Sequence, residues 1–209
     1  MLSTAVAGSS GSDDHTTVPT REPRETMSPG LLDLCTVMDQ DVLTTGLYPR
    51  RQDEEVAPPD SATISPHPAS GFRTVKDDCA WLISPDGIED WRLTLTYTAY
   101  IESYDDTSVR ARSKRLMDST EQKYVETLGS DYKSSGKSTW GDAATVFYVP
   151  GDGSSKSEYT VIMRSKGVVC ELSFQPTASD VDVSKTSFRV EADPAATTLA
   201  QEIHYLLPD

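Results

Sequence analysis

Trp91-Arg92-Leu93-Thr94-Leu95-Thr96-Tyr97-Thr98-Ala99-Tyr100 alternates between apolar and polar positions over most of its length. Side chains of an extended chain point to opposite faces in turn. Trp91, Leu93, Leu95, Tyr97 and Ala99 therefore share one face, and Arg92, Thr94, Thr96, Thr98 and Tyr100 the other. This predicts a strand with a buried and a wetter side. Just upstream, Asp78–Ile83 reads as a second strand, and Ser84-Pro85-Asp86-Gly87 supplies a turn between the two. Together they form a hairpin.

Beyond Asp106 the period becomes helical. Val109, Leu116, Met117, Thr120, Tyr124 and Leu128 fall on one broad face, with Arg110, Lys114, Asp118 and Glu121 opposite. Thr107 or Ser108 can cap the start of this helix and Gly129 can end it. Ser130–Lys137 reads as a loop. Ala143–Val149, Glu158–Arg164 and Val168–Phe174 read as strands, the last two joined tightly through Gly167, a residue free to take positive φ. Gln175–Glu191 reads as polar loop. Asp193-Pro194 then marks a helix start, with Leu199, Ile203 and Leu206 on one face. Upstream, Leu31, Leu32, Leu34, Cys35, Val37 and Met38 predict a short helix capped by Ser28. The expected fold is α+β: a mostly antiparallel sheet of about five strands, packed by a long middle helix and a C-terminal helix.

The 209 residues are 36% apolar, low for a packed chain, and the shortfall is local. Residues 1–27 and 44–74 are rich in Ser, Thr, Pro, Asp and Glu, and cannot bury enough apolar surface to offset chain entropy. The expected organisation is a tether over 1–27 and one domain over 28–209 with a flexible loop at 44–74. The formal net charge of −14 disfavours nucleic acid as a partner, and disfavours docking on anionic lipid through a basic patch.

The three cysteines, Cys35, Cys79 and Cys170, allow three pairings. Val168, Cys170, Leu172 and Phe174 alternate onto one apolar face, where a cysteine serves as a small core hydrophobe. Cys35 and Cys79 flank the long polar segment. A bridge between them would close a loop of about 45 residues, worth roughly 4 kcal/mol in the chain-entropy model. The pairing read from these arguments is Cys35–Cys79, with Cys170 buried and inert. The cysteines and the histidines His15, His67 and His204 show no zinc-ligand spacing.

Leu2–Gly8 is small and apolar, and the chain turns polar at Ser9. Val6-Ala7-Gly8 has the composition that precedes the lipidated cysteine of a bacterial lipobox, and Ser9 stands at the cysteine's position. Exchange of that cysteine for serine and an ordinary polar linker both account for it. Leu31, Leu32 and Leu34-Cys35, followed by Cys79-Ala80-Trp81, a long helix, the segments Tyr159–Met163 and Val168–Leu172 and a closing helix Ala195–Ile203, form a pattern. It resembles actinobacterial secreted lipoproteins of unknown function. The architecture this resemblance implies is similar to PsbP-like α/β/α sandwiches and to the sensor ectodomains of mycobacterial receptor kinases. It implies membrane attachment through a lipid anchor only, and it brings no catalytic motif.

No P-loop, nucleophile elbow or calcium-loop signature is present. No catalytic residue, cofactor or metal ligand is assigned. Tyr100, Tyr104, Tyr132 and Trp140 are the candidate ligand surface. The leading functional expectation is a non-enzymatic, extracytoplasmic lipoprotein that binds an envelope protein or cell-wall ligand. A sensor ectodomain or protein inhibitor, and a hydrolase with an unrecognised site, are the alternatives.

Overall fold

Every strand belongs to one antiparallel sheet, in the order β1-β2-β3-β7-β6-β5-β4. The computed structural model describes residues 32–39, 63–64, 71–85, 87–103, 107–129, 133–152, 154–178 and 181–207. The expected tether, Ser9, the Ser28 cap and most of the 44–74 loop lie outside these residues. Five strands make the body of the sheet, as expected: β2 (Phe72–Ile83), β3 (Trp91–Ser103), β5 (Ala143–Val149), β6 (Glu158–Ser165) and β7 (Val168–Pro176). Two more lie at its edges: β1 (Thr63–Ile64) beside β2 and β4 (Lys133–Ser138) beside β5. The expected loops at 44–74 and 130–137 are thus partly strand. Neither shows apolar alternation, because hydrogen bonds to a neighbour, and not a buried face, hold an edge strand.

The connections explain the layers. After β3 the chain must reach β4, four strand spacings or about 19 Å away. It does so as α2 (Val109–Leu128), about 30 Å long at 1.5 Å per residue, laid across one face of the sheet. Ser108 caps this helix by accepting from the Ala111 amide at 3.1 Å. After β7, α3 (Lys185–Leu206) returns over the opposite face, beside the short α1 (Leu34–Val37). The molecule is a three-layer α/β/α arrangement.

Alternation sorts the two faces. The inner face, under α1 and α3, carries Trp81, Trp91, Leu93, Leu95, Tyr97, Leu172 and Phe174, all buried. Helix α3 meets it through Phe188, Ala192, Ala195, Ala196, Leu199 and Ile203, a stripe at helical spacing whose alanines let the helix axis come close. The helix begins nine residues before the expected start, at Ser184, whose hydroxyl accepts from the Ser187 amide. Pro194 lies inside it. The missing amide deprives the Val190 carbonyl of its helical donor. Val190 sits on the exposed side, where water can take that bond. The segment 175–191, expected as loop, is therefore the end of β7, a short connection and the first turns of α3.

Helix α1 starts at Asp33, not Ser28. The Asp33 carboxylate accepts from the Thr36 amide at 2.8 Å and its hydroxyl at 2.7 Å. The Cys35–Cys79 disulfide, with Cα atoms 6.0 Å apart, ties α1 to β2, and Tyr97 adds a bond from its hydroxyl to the Leu32 carbonyl. Cys170 is free and buried. In the β6–β7 turn the residue with positive φ is Lys166, not Gly167. Gly167 is required for space: a Cβ there would lie 2.4 Å from the Tyr100 carbonyl oxygen. The Lys166 ammonium is buried and donates to the His204 and Leu207 carbonyls, capping the negative end of α3.

Candidate functional site

The four aromatic residues expected as a ligand surface do not assemble into one. Tyr104 and Tyr132 lie outside the described residues. Trp140 is buried in the main core. Tyr100 does lie on the outer side of β3, yet it is only 8% exposed. Its ring meets Phe72 edge-on, with centroids 5.4 Å apart, and the Arg112 guanidinium of α2 covers both rings at 5.8 and 5.9 Å. Burial overturns the expectation for Tyr100 and Trp140: a helix that crosses the sheet, and a core that reaches into the 139–142 turn, leave neither ring open to a ligand.

What the outer face presents instead is polar. Register places Thr94 opposite Ser173 and Thr96 opposite Glu171 across the β3–β7 pair, with Thr160 opposite Ser173 across β6–β7. Helix α2 packs over only part of this face, through Met117 against Phe147, Ile162 and Val169. Towards β2 the floor stays open: Asp78, Arg92 and Thr96 are exposed and Thr94 is half-buried. At the edge of the covered part, the Tyr124 hydroxyl donates to Glu171 Oε1 at 2.5 Å. Thr160 Oγ1 donates to Glu158 Oε1 at 3.0 Å and lies 2.9 Å from Ser173 Oγ, which donates to the same Glu158 oxygen at 3.2 Å.

This array offers hydroxyls and carboxylates in two rows at strand spacing, the complement of a polyhydroxylated ligand rather than of a phosphate. Burial, then the Glu171 carboxylate beside it, pushes the Tyr124 phenol far above the ordinary tyrosine range, so it stays protonated and donates. Burial likewise raises Tyr97 and Cys170, and raises Tyr159 to about 12. His204, the one histidine among the described residues, stands exposed on α3.

A second group of chemistry-bearing side chains gathers at the disulfide. One carboxylate oxygen of Asp33, one of Asp77 and the Cys35 sulfur all lie within 4.8 Å of one another. Asp33 arrives as the cap of α1, while Asp77 comes from the inner face of β2, two residues before Cys79. Asp77 is 6% exposed and accepts from the Asp78 amide.

Sequence reading missed both groups. The outer array was visible only as the wet side of each strand, where Thr, Ser and Glu are ordinary solvent-facing residues. The Asp33–Asp77 approach carried a faint signal, since each acid lies two residues before a bridged cysteine. The chain matches no protein-family model, and neither a curated protein nor a solved structure matches it.

Proposed function

We propose that this chain is a non-enzymatic binding module of the cell envelope. It is exported and carried on a lipid anchor at its N-terminal side, and it holds a hydroxyl-rich cell-wall polymer against the open half of the outer sheet face. The observation that carries this reading is the Cys35–Cys79 bridge, which clips α1 to β2. Such a bridge persists in an oxidising compartment and is rarely kept in a reducing one. The Thr94–Thr96–Ser173 floor, bordered by Glu158 and Glu171, supports the choice of ligand. Its hydroxyls can donate and accept, and its carboxylates favour sugar hydroxyls over anions.

Two measurements test the two halves. The native-length protein, expressed in a host that processes lipoproteins and fed an alkynyl fatty acid, should carry the label and sediment with membranes. A soluble, unlabelled product ends the anchoring half. Purified protein should be retained by an insoluble cell-wall fraction, and Thr94→Ala/Thr96→Ala should cut retention about tenfold. Equal retention of the two proteins would remove the outer face from the reading.

A further inference from the structure

We infer that Cys35, Cys79, Asp33 and Asp77 form a two-sulfur, two-oxygen site for a soft divalent cation, Zn2+ being the natural occupant, once the bridge between the sulfurs is reduced. The argument starts from geometry. Oxygens of Asp33 and Asp77 and the Cys35 sulfur lie within 4.8 Å of one another, and the Cys79 sulfur is bonded to that of Cys35. Four ligand atoms from three places in the chain thus surround one point. Tetrahedral zinc, with bonds of about 2.3 Å to sulfur and about 2.0–2.2 Å to carboxylate oxygen, needs ligand atoms roughly 3.4–3.8 Å apart. The oxygens must close in by about 1 Å and the sulfurs must part to about 3.8 Å. The Cα atoms, 6.0 Å apart, allow this by side-chain rotation alone.

The chemistry of the set points the same way. Two thiolates favour zinc over magnesium or calcium, and two carboxylates complete a neutral ligand sphere around a divalent ion. Two carboxylates this close, one of them in the core, repel each other, and a cation between them removes that repulsion. The short helix and the strand that carry the ligands are already pinned by the Tyr97 bond to the Leu32 carbonyl, which does not depend on the bridge.

The steps balance. A dithiol reductant donates two electrons and two protons to the disulfide, leaving two thiols and becoming a disulfide itself. The cation then displaces the two thiol protons to solvent and forms two metal–sulfur bonds. In an oxidising compartment the four residues are a clip; in a reducing one they are a metal centre that does the same mechanical work.

The inference is independent of the envelope reading. It is tested on the full chain, reduced under anaerobic conditions with a non-coordinating phosphine and titrated with Co2+. The expected result is one equivalent bound, with the charge-transfer absorption of two thiolates and the visible bands of tetrahedral cobalt. Zn2+ should displace the Co2+ and raise the melting temperature of the reduced chain. Asp77→Asn, which keeps the oxidised clip and so folds when oxidised, should bind at least about tenfold more weakly. Absence of thiolate charge transfer, or unchanged affinity in Asp77→Asn, would overturn the inference. If the reduced chain is unfolded, Zn2+ is expected to restore its circular dichroism, and failure to do so overturns it equally. Cys170 is a built-in control: carboxymethylating Cys35 and Cys79 while it stays buried should abolish the spectrum.

Discussion

The two faces of the sheet are made from the same seven strands and behave as different materials. The inner face is a continuous apolar layer, closed by α3 and clipped to α1 by a covalent bond. The outer face has one small apolar cluster under α2, and beyond it hydroxyls, carboxylates and exposed charge. An alternating strand needs one buried face to fold, so its other face is free to carry residues chosen for what they bind. If that division holds, stability should be concentrated inside and recognition outside, and substitutions can be ranked accordingly.

The largest loss is expected at Phe188. It is fully buried, with Trp91, Tyr159 and Tyr148 at centroid distances of 4.9, 5.7 and 6.3 Å. Phe188→Ala should cost about 3–5 kcal/mol in urea unfolding; a cost under about 1 kcal/mol would mean the inner layer is not the main support. Cys35→Ser/Cys79→Ser should cost about 2–4 kcal/mol while leaving the β5–β7 signals in an NMR spectrum in place. Loss of those signals would show that the clip organises the whole sheet and not α1 alone.

The phenols connect the two faces through pH. Tyr97 and Tyr159 inside and Tyr124 outside all have raised pKa values, chiefly from burial. The folded protein therefore holds the phenolic proton more tightly than the unfolded chain does. The stabilisation is complete below the ordinary value near 10 and disappears as pH climbs through the folded values, with Tyr159 at about 12. Urea midpoints should be insensitive to these groups between about pH 7 and 9 and fall steeply above about pH 10.5. Equal midpoints at both ends would contradict the burial of all three.

Smaller effects sharpen the outer side. Tyr124→Phe keeps the ring stack on Phe147, at 5.3 Å, and removes the bond to Glu171. About 1–2 kcal/mol should be lost by thermal unfolding, less if water reaches Glu171. At the bottom of the ranking, Thr96→Ala on the exposed floor should change stability by no more than about 0.5 kcal/mol. Its effect should appear in retention by the wall fraction instead. A stability cost above about 1 kcal/mol would make that floor structural.

Residues with a strong period declared their structure in advance. Strands β3, β5, β6 and β7, helix α2 and the Cys35–Cys79 pairing are where sequence reading put them, because each rests on alternation, helical spacing or chain-closure entropy acting locally. The start of β2 at Phe72 could not be read, since Arg73 to Asp78 is polar and is held by pairing with the far end of β3. Helix α3 was shortened by taking Pro194 as a first-turn residue. Phe188 and Ala192 already continue the stripe of Leu199 and Ile203 upstream, and that periodicity outweighs one lost amide. Trp140 and Tyr100 failed as surface candidates because burial by a distant helix or core leaves no local mark. The Asp33–Asp77 approach depends on the disulfide's own geometry and becomes visible only once the pairing is known.

The meeting of β3 with β7 has a kinetic consequence. Strands β4 to β7 form one sequential meander and β1 to β3 another, and the nearest partners across the seam, Ala99 and Val168, are 69 positions apart. Joining the two halves must overcome the loop entropy of everything between them, α2 included, so it belongs late in the folding reaction. Pulse-labelled amides of β6 should become protected before those of β3, and the polypeptide emerging from a ribosome or a secretion channel waits for its C-terminal half before its central strand has both neighbours.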